Sequence, residues 1–387
     1  MKVISRNLFI FAAVLGLVIH LSSAEAAHQP IDKDTEGLVK TEQSMVAADG
    51  KVKQPYSQAP KPGINTMQKW PVVSADVGGT LLFSDSPETV EQDGILYTDT
   101  VQGKSRILYY HLNATKLNKK IAVVLENMST DETDVAVSRG GMGVPSADYL
   151  SVGKQTQTEY FKAPRLDRIH ILGNGKRLLN SKMNQLIVEP GQLVYGVFDF
   201  ETTVPVKVSV VMLPAEEDPL QFINRARILP ADSHRLRGTF VGMDRIIKSE
   251  QSYDSSKDGA VYITLADDKN DEYRTGIDAT DGSIVKNYGN YGILYKIHIP
   301  TKGLGKTKYY LMPRGGVYAG AMTVARAMNS SKDMILTPAD RIFFGEKINV
   351  NELADLGTYN DFASTWFEFS PPGASNLPVD LVLIPAE

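Results

Sequence analysis

The stretch Asn287-Tyr288-Gly289-Asn290-Tyr291-Gly292 sets two tyrosines among amides and glycines. Exposed tyrosyl rings stack on sugar faces, and neighbouring amides hydrogen-bond sugar hydroxyls. Tyr288, Asn290 and Tyr291 are therefore a candidate glycan-binding loop, with Trp366 as a further ring. The same residues also serve tight turns, because Asn and Gly tolerate positive φ. Arg139 and Arg314 each precede a Gly-Gly pair, which places a guanidinium beside permissive backbone. That arrangement suits recognition of a carboxylate or phosphate, and paired glycines equally serve a bulge or sheet corner.

Asp267, Asp268 and Asp271, followed by Asp278 and Asp281, bring hard oxygen donors close in sequence, as Ca²⁺ requires. The EF-hand spacing fails, since Lys269 occupies a ligand position and no glycine stands at the sixth. A solvated loop between strands is the ordinary reading, and no cofactor other than Ca²⁺ comes into question. Gly303-Leu304-Gly305-Lys306-Thr307 ends like a phosphate-binding loop. Pro300 replaces the first glycine of that pattern, and Lys308-Tyr309-Tyr310-Leu311 reads as a strand where a helix is needed, so a hairpin loop is expected.

Signatures of catalysis are scarce. The chain has 0 cysteines and neither a Gly-x-Ser-x-Gly elbow nor a His-Glu-x-x-His pair. His28, His111, His170, His234 and His298 are widely separated, and His111 and His298 fall in or beside expected strands, where a hydrogen-bonded structural histidine is usual. Carboxylate pairs for glycoside cleavage are defined by distance in space, so that option stays open. An enzyme is not expected.

The elements that must carry these residues begin after an export signal. Lys2 and Arg6 head an apolar run from Leu8 to Leu21, and Ser22-Ser23-Ala24-Glu25-Ala26 closes in a small-x-small cleavage pattern. The run is too short for a comfortable span, and no second one follows, so no integral membrane span is expected after cleavage. Residues 27–69 are rich in Lys, Asp, Glu and Gln with four prolines, a composition that does not offset the entropy of ordering, and read as a flexible linker. Removing residues 1–26 shifts the net charge from −4 to −5, because Lys2, Arg6 and Glu25 sum to +1. A mildly acidic, mixed surface excludes nucleic acid as a partner.

From Trp70 onward, short runs of β-branched and aromatic residues alternate with Gly, Asn, Asp and Pro. Strands are expected at 79–84, 106–113, 120–126, 134–138, 193–200 and 206–213, then at 237–241, 260–265, 292–299, 308–312, 320–325, 366–369 and 379–384. Asp218-Pro219 opens a short helix, with Asp218 as its cap and Pro219 in its first turn. The two halves also echo each other: Arg139-Gly-Gly with Arg314-Gly-Gly, and 205–216 with 378–387. The fold class is all-β, with two tandem β-sandwich-like domains related by duplication, at 70–216 and 233–387, joined by a helical connector at 217–232.

Four stretches carry a family likeness: Leu236-Arg237-Gly238-Thr239-Phe240, Tyr273-Arg274-Thr275-Gly276-Ile277-Asp278, Pro313-Arg314-Gly315-Gly316-Val317-Tyr318-Ala319-Gly320 and Phe369-Ser370-Pro371-Pro372-Gly373-Ala374. Over residues 79–387 the chain resembles a group of β-rich secreted bacterial proteins found mainly in Firmicutes. Members are often labelled after a copper amine oxidase N-terminal-like module, a surface stalk that this sequence does not show. An oxidase would carry Asn-Tyr-Asp or Asn-Tyr-Glu with three copper histidines. Here Asn-Tyr precedes only Gly, so amine oxidase activity is not expected.

These readings point to a non-catalytic extracellular or cell-envelope protein with a structural or adhesive role. Its expected partners are cell-wall or envelope polysaccharide, or another surface protein. A carbohydrate-binding module using the tyrosine loop is the alternative, and a glycoside hydrolase or lyase with unrecognised carboxylates is the second alternative.

Overall fold

The strand Thr80–Ser84 has both faces covered, and its alternate side chains enter different cores. Leu81 and Phe83 join one cluster, while Leu82 joins another, as the two-residue period of a strand requires. The same division runs along its neighbours. Leu108 and Tyr195 face the first core, and Ile107, Tyr109 and Val194 face the second. Continuous apolar runs such as Ile107–Tyr110 are what a strand buried on both faces needs.

The structure is a computed structural model and describes residues 66–162, 166–326, 331–346, 352–363 and 365–386. The expected signal at 1–26 and residues 27–65 of the expected linker lie outside the described residues. All the described residues belong to one compact unit, Ala59–Glu387. The fold is all-β, arranged in three sheets.

The largest sheet has 11 strands and is organised around two long antiparallel partners, Gly94–Asn113 and Leu193–Pro214. Register shifts between Thr202 and Val206 and between Val210 and Val211 break the pairing, and β-bulges of this kind bend a strand. The bend lets the sheet wrap a core that contains Tyr97, Val123, Phe198 and Val208. A 5-stranded sheet, including Val261–Leu265, Lys306–Pro313 and Val379–Ala386, and a 6-stranded sheet, including Leu294–Ile299 and Thr365–Phe369, share the other main core.

Most expected strands appear with small boundary changes, 106–113 is the end of the longer strand Gly94–Asn113, and 193–200 and 206–213 fuse into one. One sheet spans the expected connector at 217–232. Thr80–Ser84 lies between Gly94–Asn113, which it pairs in parallel, and Arg237–Val241, which it pairs antiparallel. Hydrogen bonding of the largest sheet therefore crosses the 217–232 segment. Pro219–Phe222 does form a helix there, and the Asp218 carboxylate accepts from Leu220 N and Gln221 N, both at 3.0 Å. The paired Arg-Gly-Gly stretches occupy unlike places, one within strand Thr133–Met142 and the other just beyond Lys306–Pro313.

Strands such as Val73–Val77, Asp167–Ile171, Asp244–Lys248, Lys332–Thr337 and Ala354–Asn360 fall outside the expected elements, and so does the helix Tyr149–Phe161. Asp148 caps it by accepting from Ser151 N at 3.1 Å. Val152, Thr156 and Tyr160 recur every fourth residue on its buried face. A Cβ on Gly141 would lie 2.2 Å from the Thr156 carbonyl, so the Gly-Gly after Arg139 lets the helix approach the strand. Among the described residues, no helix is long and apolar enough to cross a membrane.

Candidate functional site

The residues singled out by type and spacing do not gather in one place. Asn290 is fully buried at φ +53°, accepts from Arg274 N at 2.8 Å, and donates to the Glu272 carbonyl at 3.1 Å and the Tyr295 hydroxyl at 2.8 Å. It is an internal strut. Tyr288 is half exposed and meets Tyr273 edge-on at 6.0 Å, while Tyr291 turns inward and donates to the Ser375 carbonyl at 2.7 Å. Trp366 lies flat on its cross-strand neighbour His298, with ring centroids 4.2 Å apart.

The two arginines are engaged by the chain's own acids. Arg139 sits 3.5 Å from Glu368 and covers the Tyr160 ring, and Arg314 lies 3.6 Å from Asp380. The five aspartates proposed for Ca²⁺ also disperse. Asp267 accepts three backbone N–H groups of its own turn, and Asp268 meets Lys286 at 2.6 Å. Asp271 takes Arg245 and the Tyr295 hydroxyl, Asp278 takes Arg237 at 2.8 Å, and Asp281 takes Arg235. Among the described residues, no group of three or more His, Asp or Glu side chains could hold a metal ion. The Gly303–Thr307 segment links strands of two different sheets and is not a hairpin, because Leu294–Ile299 and Lys306–Pro313 do not pair.

A different set of residues does converge, just past strand Thr80–Ser84. Asp232 accepts from Ser86 Oγ and Glu88 N at 2.9 Å, and from His234 N and Arg235 N at 3.0 Å. Burial alone would raise its pKa, but these hydrogen bonds outweigh burial and hold the carboxyl below its ordinary value. Asp85 and Glu88 go the other way. Burial, followed by repulsion from Glu88 and Asp232, pushes Asp85 well above the ordinary carboxyl range. Burial and Asp232 raise Glu88, with His234 opposing. Asp85 Oδ1 is sealed from solvent without a hydrogen-bond partner.

Tyrosines surround these acids in a graded series. Tyr149, at the start of the helix, is exposed; Tyr110 and Tyr291 are part-buried; Tyr195 is fully buried. Burial raises the pKa of each hydroxyl, and Glu88 adds to this at Tyr110, Tyr149 and Tyr291, while Asp85 does so at Tyr110, Tyr195 and Tyr291. Tyr195 reaches about 12. Gln157, on the helix, donates from Nε2 to the Tyr195 hydroxyl at 3.3 Å, and its Oε1 is buried without a partner. Gly373 lies against the rings, where a Cβ would come within 2.8 Å of Tyr110 and 3.2 Å of Tyr195.

The stretches 236–240, 273–278, 313–320 and 369–374 all lead to this place. Leu236 accepts Asp85 N at 3.0 Å, and Arg237 joins Asp278 to the Ser86 carbonyl. Ser375 Oγ ties the Gly373 loop to Ala319 at 3.0 Å. The cluster escaped sequence reading because Asp85, Glu88, Tyr110, Tyr149, Tyr195 and Gln157 have no shared spacing. The one local signal was an acid on either side of Ser86-Pro87 at a strand end.

Nearby, His111 has the partners of a nucleophile–base pair. Its Nε2 lies 2.9 Å from Ser84 Oγ and its Nδ1 lies 2.8 Å from the Pro87 carbonyl. Both side chains are fully buried. A carbonyl only accepts, so Nδ1–H donates to Pro87 and Nε2 accepts from Ser84. Burial lowers this imidazole to about 4 and keeps it neutral. It is the hydrogen-bonded structural histidine expected for its position.

The chemistry available is therefore aromatic faces, hydroxyl donors, unpaired acceptors, and carboxyls whose proton affinities are pushed apart. No family model matches the chain, and no curated protein matches it. Among solved structures it is similar to the PBSX exported protein XepA at 8% identity, with 76% of this chain and 86% of that chain covered and a TM-score of 0.16. It is also similar to a Paenibacillus xanthan lyase at 9% identity and a TM-score of 0.19, where 87% of this chain spans 28% of the lyase.

Proposed function

We propose that this is a non-catalytic exported protein that adheres to polysaccharide of the cell wall or envelope, binding it at the tyrosine-lined carboxyl cluster around Asp85 and Glu88. The observation that carries this reading is the grading of Tyr149, Tyr110, Tyr291 and Tyr195 from exposed to buried beside acceptors that lack partners. Sugar rings stack on such faces, and their hydroxyl hydrogens suit such acceptors. The export signal expected at 1–26 and the likeness to secreted Firmicutes proteins agree with a place outside the cytoplasm. The test is a glycan array probed with the chain from residue 27 onward, compared with a Tyr110→Ala/Tyr149→Ala variant. Binding that the variant loses supports the reading; no bound glycan, or equal binding by the variant, overturns it.

A purely structural envelope role is the second reading. It is favoured by the buried ion network in which Lys296, Asp244, Arg106 and Asp199 follow one another across two sheets. Co-sedimentation with cell-wall fragments that the tyrosine variant retains would select it.

A further inference from the structure

The segment Lys302-Gly303-Leu304-Gly305-Lys306, which lacks the helix of a phosphate-binding loop, runs beside the turn 360–363. We propose that the tips of these two loops form a docking surface for an anionic lipid bilayer. Leu304 and Phe362 enter its interface, and Lys302 and Lys306 meet its headgroups. This surface is separate from the carboxyl cluster and does not depend on the polysaccharide reading.

The pairing of two strands brings the tips together. Lys306–Pro313 and Ala354–Asn360 run antiparallel, with Lys306 opposite Asn360. Just past that pair, Asp361 N donates to the Gly305 carbonyl at 3.0 Å, so one further step in the same register sets Leu304 opposite Phe362. Leu304 is 97% exposed and Phe362 71%. Both loops are fixed from behind. The Asp361 carboxylate is buried and accepts from Ser255 Oγ and, at 2.6 Å, from Thr307 Oγ1. Lys302 N donates to the Tyr253 carbonyl at 2.9 Å. A Cβ on Gly305 would stand 2.2 Å from Ser255 Oγ, so a glycine is needed for the loop to seat there. Scattered apolar side chains on a surface are ordinary, but here two large ones stand opposite each other on a rigid base, as at a contact surface.

The charges around the tips select the partner. The chain as a whole carries −4, so attraction to an anionic surface has to be local. Lys302 and Lys306 stand two positions either side of Leu304, both exposed and, among the described residues, without an ion pair. Lys257, on the adjoining loop, is 73% exposed, while its partner Asp254 is nearly buried. The acids of these loops are engaged by the loops themselves: Asp254 accepts from Ser256 Oγ, Asp258 from Asp254 N, and Asp361 as above. An approaching surface therefore meets the lysines first. Lysine stems lie along apolar surface and carry the ammonium to the headgroups, and each basic residue at an anionic membrane is worth roughly fivefold in affinity. A protein partner would need a pocket shaped to both tips, whereas a bilayer interface takes protruding apolar side chains without one.

The test is co-sedimentation of the chain from residue 27, which lacks the expected export signal, with phosphatidylglycerol vesicles and with phosphatidylcholine vesicles. Preference for phosphatidylglycerol by about tenfold or more is expected, weakening at high salt. Leu304→Ser/Phe362→Ser should weaken binding by about tenfold or more, and Lys302→Gln/Lys306→Gln should remove the lipid preference. All four side chains are exposed, so thermal unfolding of both variants should match wild type. Absence of binding to phosphatidylglycerol vesicles, or binding that Leu304→Ser/Phe362→Ser leaves unchanged, overturns the inference. A dimer that the same variant dissociates overturns it as well, by giving the tips to a second copy of the chain. The Tyr110→Ala/Tyr149→Ala variant should keep its vesicle binding, so failure of the polysaccharide reading on the glycan array leaves this inference standing.

Discussion

Arg106 and Asp199 face each other across the strands Gly94–Asn113 and Leu193–Pro214 and close a two-pronged ion pair, Nε to Oδ1 at 2.6 Å and Nη2 to Oδ2 at 2.9 Å. Arg106 is 1% exposed, and its remaining N–H groups donate to the Met243 and Gly292 carbonyls at 2.6 and 3.0 Å and to Asp244 at 3.1 Å. One side chain thus joins the long strands of the largest sheet to segments that flank the other main core. Removing it leaves Asp199 buried with the Tyr160 hydroxyl donating at about 3.0 Å and without its two-pronged partner, the charge of Arg139 acting from across the Tyr160 ring. Arg106→Leu should therefore lose about 3–5 kcal/mol of stability, the usual cost of an abandoned buried charge. The double variant Arg106→Leu/Asp199→Leu should recover part of this loss, because no lone carboxylate remains. Urea unfolding of both variants checks the order, and a single variant within about 1 kcal/mol of wild type would contradict it.

His111 makes the stability depend on pH in a definite direction. Burial depresses its folded pKa to about 4, against about 6.5 in an unfolded chain. Between those values the unfolded state binds the proton and the folded state does not. Its contribution is therefore complete above pH 6.5 and falls as the pH drops, levelling near 4, for a total of about 3 kcal/mol. Asp85 and Glu88, whose pKa values are raised, change in the opposite sense. A comparison cancels them. The stability advantage of wild type over His111→Asn should shrink by about 2–3 kcal/mol from pH 7 to pH 4, measured by urea midpoints. A constant difference would show that this imidazole is not held neutral.

How much of this was legible follows from which signals are local. Val206-Lys207-Val208-Ser209-Val210 announces a strand because its period of two lies within five adjacent residues. The helix Tyr149–Phe161 stayed hidden because Gly153 and the run Lys154-Gln155-Thr156-Gln157-Thr158 dilute its apolar face to Val152, Tyr160 and Phe161. The sheet that spans 217–232 was not legible because Thr80–Ser84 serves two cores at once, and sequence does not reveal which side each residue faces. In the candidate site, Tyr291 alone was singled out beforehand. Asp85 and Gln157 are separated by more than seventy residues and meet only through Tyr195.

Gly373 sets how closely the loop approaches the tyrosines. An alanine Cβ there would stand 2.8 Å from Tyr110 Cδ2 and 3.0 Å from Cε2, inside any comfortable contact. The Tyr110 ring must shift to make room, so Gly373→Ala should cost about 1–3 kcal/mol from overpacking. Saccharide affinity should fall by about tenfold, because one displaced stacking face is worth about 1 kcal/mol or more. Calorimetry on the folded variant reads this directly. Unchanged affinity would place Tyr110 outside the binding surface.

The two tyrosines of the Asn-Tyr-Gly pair should separate cleanly on loss of a single oxygen. Tyr291 donates its hydroxyl to the Ser375 carbonyl at 2.7 Å, and Ser375 is 1% exposed, so Tyr291→Phe leaves a buried acceptor unsatisfied. A cost of about 1–2 kcal/mol follows, together with a looser Gly373 loop and weaker binding. Tyr288 is half exposed, and its ring meets Tyr273 through its edge, so Tyr288→Phe should stay within about 0.5 kcal/mol and leave binding unchanged. Thermal unfolding and glycan-array binding of the same two proteins decide the matter. Equal effects would mean that the loop acts as one exposed surface, which the inward turn of Tyr291 argues against.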